Sequence, residues 1–375
     1  MFNFSEFINL PLTWGLLIAI ALLVYVLLDG FDLGVGIIFP YAPSEKSHHC
    51  LMNSISPFWD SNETWIVLAG GGLFVVFPLA FAILMPAFYI PIFLMLFSLI
   101  LRGSAIEFWH KSSKNERKIW QWVLSISSLT ASLSQGAIFG AFLSGVKINQ
   151  RNFSGDAFDW LSPFSIMSSL GVTIIYVLLG STWIIAKSEN DTAYWAKIIA
   201  KKTSLYASIM SLMAGILITI KHSSIYVFNN ENQKLIDLPL KNLVIFTGII
   251  SAIIFYLISY ILSKKYQKNE YNSDNLAENT DLLVNKNIKL NKFNFTDFKP
   301  FFLTYIGIIV SYVGIMASVY PYAIPYSYTF ADVASSNESL SLTLLGTMVF
   351  LPLAICYTIY VFYVFKGKVE DEVNY

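Results

Sequence analysis

Residues 11–39 read PLTWGLLIAIALLVYVLLDGFDLGVGIIF, an apolar run that goes eighteen residues, from Pro11 to Leu28, before its first charge at Asp29. A helix of that length crosses a hydrocarbon layer about 30 Å thick. The pattern repeats along the chain, with further candidate spans near 63–79, 81–108, 119–143, 163–187, 202–225, 241–262, 301–324 and 340–366. Soluble α/β proteins do not repeat such runs. Composition agrees: the 375 residues are 55% hydrophobic and 13% charged, against about 25% charged in an ordinary soluble domain. The expectation is an all-α integral membrane protein of about nine transmembrane helices, forming one polytopic domain over 1–375.

Basic and acidic residues number 24 each, so no overall field favours nucleic acid. Their placement says more. With the N-terminus outside, nineteen of the 24 basic residues fall in inside segments and five (Lys147, Arg151, Lys221, Lys234, Lys241) fall outside. The positive-inside rule then predicts an outside N-terminus and an inside C-terminus. The first fourteen residues hold Glu6 and no basic residue, so the first run reads as a retained helix, not a cleaved signal. Residues 263–299 are rich in Asn and Lys, which predicts a polar cytoplasmic loop. The division between 63–79 and 81–108 rests on Pro78 and Pro86.

An ionised side chain near the bilayer centre costs about 2.5–3.5 kcal/mol, so each one calls for a reason. They fall in three segments. In Asp29-Gly30-Phe31-Asp32-Leu33-Gly34, the two acids are three residues apart on one helix face, and Gly30 and Gly34 let a neighbouring backbone approach. Without a function, these acids only mark a helix end. In Pro57-Phe58-Trp59-Asp60-Ser61-Asn62-Glu63-Thr64-Trp65, Asp60 and Glu63 have the spacing of a capping box, which does not exclude a proton role at the inner mouth of a bundle. Trp59 and Trp65 fit an interfacial belt. In Arg102-Gly103-Ser104-Ala105-Ile106-Glu107-Phe108, Arg102 either snorkels to the interface or neutralises an acid of the first two segments. Glu107 is not an ideal same-face partner for it. Topology places all three segments on the inner side.

The four histidines, His48, His49, His110 and His222, lie in or beside predicted loops, whereas membrane haem sites use side chains projecting into a bundle core. The expectation is that this chain binds no haem. A metal at the His48-His49 pair would be adventitious. Cys50 and Cys356 have no metal-ligand spacing and predict no disulfide framework.

Taken in order, DGFDLGVG at 29–36, NSISPFWDSNETW at 53–65 and RGSAIEF at 102–108 resemble the signature segments of cytochrome bd-type quinol oxidase subunit II. Tyr320-Pro321-Tyr322 through Pro325, with Ser335-Ser336-Asn337 and Leu340-Ser341-Leu342, is similar to that family's connection between its last two helices. The departures are Ser61, where Gly is common, and the long 263–299 loop. The resemblance implies two four-helix bundles plus one peripheral helix, set in the lipid of the bacterial cytoplasmic membrane. It implies a partner, subunit I, that carries haem b and haem d and the quinol site, oxidising quinol and reducing dioxygen to water. This chain, not catalytic alone, would support assembly and lend Asp60, Asp29, Asp32 and Glu63 to proton uptake, with Arg102, Glu107 and Trp59 as charge or structural partners. A structural quinone in this chain, a small accessory single-span subunit, the quinone species and the presence of haem d are left open. The rival reading is an ion-coupled secondary transporter, whose broken helices would fall at Gly70-Gly71-Gly72 and at Pro321 and Pro325.

Overall fold

The computed structural model describes residues 8–224, 228–229, 232–233, 242–276 and 295–369. Helices make up nearly all of it: α1 (Leu10–Ile38), α2 (Glu45–Ile55), α3 (Trp59–Val76), α4 (Pro78–Ala87), α5 (Tyr89–Lys111), α6 (Lys114–Ser144), α7 (Pro163–Lys187), α8 (Asn190–Ser224), α9 (Leu243–Leu276), α10 (Phe295–Val319), α11 (Phe330–Val333) and α12 (Asn337–Val364). Short antiparallel hairpins pair 148–149 with 152–153, 228–229 with 232–233, and 322–324 with 328–329. Starts follow local chemistry. The Asn9 side chain accepts from the Leu12 amide at 3.1 Å and Pro11 sits in the first turn of α1, while Ser162 and Pro163 open α7 in the same way.

Among the described residues, eight helices are long and apolar enough to cross a membrane: α1, α5, α6, α7, α8, α9, α10 and α12. The ninth, α3, is 18 residues long but spends its first turn and a half on polar side chains. The expected 63–79 and 81–108 division is corrected. The chain breaks at Phe77 and again at Phe88, giving the short α4 between two spans, with Pro86 inside it. Pro78 opens a helix readily because its missing N–H is unneeded there, and Pro91 offers no N–H to the carbonyl of Ala87, so the second break precedes it. The expected 263–299 loop is also narrower, since α9 continues to Leu276 and α10 begins at Phe295; 277–294 lie outside the described residues. Helix α3 runs unbroken through Gly70-Gly71-Gly72, and Pro321 and Pro325 follow α10 in a hairpin rather than interrupting it.

The helices form the two expected groups. In one, α1 packs on α3 and α6, and α5 packs on α6; in the other, α7, α8, α9 and α10 close a ring, each against the next. Helix α7 is the hinge of the assembly, touching α1, α6, α8 and α10. Its apolar window is 61% buried against 6% for α12, which lies at the periphery. The α1–α7 crossing depends on Gly34 and Gly180, because a Cβ on either would strike the backbone of the other helix.

Candidate functional site

The three polar segments converge at one end of the first bundle. Asp29 and Asp32, in the last three turns of α1, are wholly buried, as is Arg102 of α5. Arg102 Nη2 lies 2.7 Å from Asp29 Oδ1 and also pairs with Glu63 of α3. Of the two sequence readings of Arg102, the structure shows the neutralising contact, not the snorkel. Asp32 is served differently: Asn62 Nδ2 donates to its Oδ2 at 2.7 Å and to the Leu28 carbonyl at 3.0 Å. Trp59 packs across Gly103, where a Cβ would come within 2.8 Å of the indole. That fit explains the glycine following Arg102, since the indole needs the space beside the guanidinium.

Three carboxyl groups therefore surround one guanidinium in a site largely shielded from water. Two of them, Asp29 and Glu63, share the cation, and Asp32 has an amide. A buried set with more acids than cations is costly when every carboxyl is ionised. It is an arrangement that can take up and release a proton. Asp29 Oδ2, Asp32 Oδ1, Asn62 Oδ1 and Arg102 Nε and Nη1 are buried without a hydrogen-bond partner among the described residues, and Asp29 Oδ1 has only its ion pair with Arg102. Such groups are the kind that internal water serves in a polar site.

Other expected residues lie elsewhere. Asp60 and Glu63 form no capping box: Phe58 is the N-cap of α3, without a side-chain cap, and Glu63 turns inward to Arg102. The pull of a buried guanidinium outweighs a cap, because a charged pair in low dielectric is stronger than an exposed amide contact. Asp60 is exposed. Glu107 is exposed too, and pairs with Lys111 at 3.8 Å, away from the cluster. Five residues past Arg102 is about 140° around the helix, which turns Glu107 off the Arg102 face.

Behind the cluster, Phe31, Phe58, Trp183, Phe301 and Phe362 stack or meet edge to face. Lys187, nearly buried at the end of α7, donates to the carbonyls of Phe365 and Gly367 and lies 4.9 Å from the Trp183 ring centre. It thereby ties the end of α12 to the core. Sequence reasoning missed Asn62 and Lys187. The first is neutral and the second reads as an ordinary basic helix end.

The described histidines each have a partner within the chain. His48 Nδ1 is 2.9 Å from the Ser44 carbonyl, His49 Nε2 is 3.1 Å from Arg117, and His110 Nε2 is 3.1 Å from Ser56 Oγ. All three stand at helix ends or on α2, and the His222 side chain lies outside the described residues. Burial pulls His48 and His49 below the ordinary imidazole range, and Arg117 adds to the effect at His49. Cys50 and Cys356 form no disulfide.

Comparison with known proteins gives one consistent answer. The family model for cytochrome bd terminal oxidase subunit II matches residues 10–365. A probable cytochrome oxidase subunit 2 of Haemophilus influenzae is 26% identical over 372 residues, covering 95% of this chain and 94% of its own. Cytochrome bd ubiquinol oxidase subunit 2 of Bacillus subtilis is 25% identical over 368 residues, covering 96% of each. In fold, the chain is similar to a chain of the bd oxidase from Geobacillus thermodenitrificans, with a TM-score of 0.61 over 95% of this chain and 98% of that one, at 11% identity. With the family model matched over nearly the whole length, this multi-pass membrane chain belongs to the cytochrome bd terminal oxidase subunit II family.

Proposed function

We propose that the chain is the haem-free second subunit of a quinol-oxidising, dioxygen-reducing complex, and that it carries protons inward from the cytoplasmic side toward a haem-bearing subunit I. The observation that carries this reading is a gradient of burial. Asp60 is exposed, the Glu63 side chain is 25% exposed, and Arg102 and Asp29 are fully buried, with Asp32 buried beside them. Asp60 and Glu63 are three residues apart on α3, so they share a face. A proton entering at Asp60 meets Glu63 next, then the Arg102 cluster.

Partner binding is supported by the outward face of α3. Asp60, Thr64, Val67, Leu68, Gly71, Phe74 and Val75 are exposed along it, and nothing lies within 4 Å of where a Cβ on Gly70 or Gly71 would be. A carboxylate and a bare glycine backbone suit a close helix partner better than lipid. The haem chemistry of electron transfer and oxygen reduction belongs in this reading to subunit I. An N-terminus outside and a C-terminus inside, an accessory single-span subunit and bound lipid complete the proposed assembly, in which inward proton uptake contributes to the proton motive force. Asp60→Asn in the intact complex is expected to slow oxygen reduction about tenfold or more without loss of assembly; unchanged turnover would sink the proton role. A chain that transports an ion alone in liposomes would favour the transporter.

A further inference from the structure

The segment that follows α12 fastens the cluster end of the molecule from a side that the polar motifs do not mark. Residues 365–369 make contact with the ends of three other helices. Lys187, last residue of α7 and 3% exposed, donates through Nζ to the Phe365 and Gly367 carbonyls, the latter at 3.0 Å. In return the Val369 amide donates to the Lys187 carbonyl at 2.8 Å. Lys368 Nζ lies 3.2 Å from Glu189, just before α8, and 3.2 Å from Asp297, in the first turn of α10. The partners of the buried lysine are carbonyls past a helix C-terminus, where the backbone dipole favours a cation. Helix α12 is thus held by polar contacts at its end, while its apolar window is only 6% buried.

Under this strap lies the aromatic pile. Phe362 of α12 meets Phe31, Phe58 and Trp183 at 6.2, 4.6 and 6.1 Å between ring centres, and Phe365 meets Phe58 at 6.0 Å. Phe31 stacks on Trp183 at 4.4 Å. Phe31, Phe58 and Trp183 belong to α1, the N-cap of α3 and α7, and each is at most 2% exposed. From the strap inward the order is Lys187, Trp183, Phe31, and the next residue of α1 is Asp32. The indole N–H of Trp183 is already given to the Ser54 carbonyl at 3.1 Å. Rings without a free polar atom offer water nothing to bond, so such a pile excludes it for as long as the rings stay together.

We propose that residues 365–369 are a releasable clasp and, with Phe362, the lid of a second water route to Asp32 that does not pass Asp60. The inference rests on the proton-uptake reading. With the lid closed, as it is here, the α3 side is the way in for a proton. Release of the clasp takes Phe362 off three buried rings at once, because α12 has little else to hold it. Lys187 is the positioning residue of this device, since it binds the strap on one side and lies 4.9 Å from the Trp183 ring centre on the other.

The test uses the intact complex. In Lys187→Met, amide exchange across 366–369 is expected to rise about tenfold or more, from the loss of charged hydrogen bonds to two carbonyls. Hydroxyl-radical footprinting read by mass spectrometry is expected to label Phe58 and Trp183 in that variant and to leave both unlabelled in the unaltered complex. The functional readout is the pair Asp60→Asn with Lys187→Met, expected to turn over faster than Asp60→Asn alone, which loss of a merely structural tie would not produce. Should Lys187→Met fail to assemble, Lys368→Gln, which leaves the buried lysine in place, replaces it in each measurement. Unchanged labelling overturns the lid, and so does labelling without recovery of turnover while Asp60→Asn alone is slow. If Asp60→Asn alone turns over normally, the proton-uptake reading falls, and the labelling by itself then decides the clasp.

Discussion

The two four-helix groups bury opposite kinds of interior. The first holds a guanidinium and three carboxyl groups between α1, α3 and α5. In the ring of α7 to α10, α8 and α9 meet through small side chains instead: Ser208 donates to the Ala252 carbonyl at 2.8 Å, Ser211 to the Gly248 carbonyl at 3.2 Å, and Gly215 lies against Gly248. A cavity of about 100 Å³ remains beside the ring, lined by side chains such as Met210, Val244 and Ile315. The difference separates two ways of holding helices in lipid. Small residues and single hydroxyl bonds suffice for association, at about 0.6 kcal/mol per interhelical bond. A buried ion network is a costlier device, and among the described residues the fully buried one lies in the first group, where the proposed proton role would sit.

The contrast predicts a ranking of effects. Arg102→Met removes the cluster's guanidinium and leaves buried carboxylates without their cation, a change worth about 3–5 kcal/mol. Greatly reduced yield or thermal stability of the complex is expected, partly recovered when Asp29→Leu is added. Full stability in the single variant would show that the ion network is not what organises the first bundle. Next, Lys187→Met loses charged hydrogen bonds to the end of α12, about 1.5–3 kcal/mol. Faster proteolysis after α12 is the expected sign, and an unchanged digest breaks the assignment of Lys187 as the tie. The smallest effect is expected for Ser208→Ala in the ring, about 0.6 kcal/mol in a melting measurement. A loss there as large as that of Arg102→Met would erase the distinction between the bundles.

Much of this was readable from the chain, for a physical reason. Charges inside apolar runs are rare enough that Asp29, Asp32 and Arg102 declare themselves, and long apolar stretches announce helices whatever their neighbours. The span at 163–187 matches α7 residue for residue. What escaped depends on contacts between helices. Asn62 and Gln135 are neutral amides that donate to Asp32 and to the Tyr25 hydroxyl, far away in sequence. The break at Phe77 and Phe88 leaves apolarity unchanged, so hydropathy does not register it. The capping-box spacing of Asp60 and Glu63 is not realised as a cap, because spacing along one helix says nothing of a guanidinium arriving from another.

Gly34 and Gly180 also bear on electrical tightness. Where α1 meets α7 at Gly34 and Gly180, backbone lies against backbone, with no side chain from either glycine between them. In a membrane that sustains a proton gradient, an ill-fitting seam beside an ionised cluster would be a short circuit, and two glycines set opposite each other are the simplest gasket a polypeptide can make.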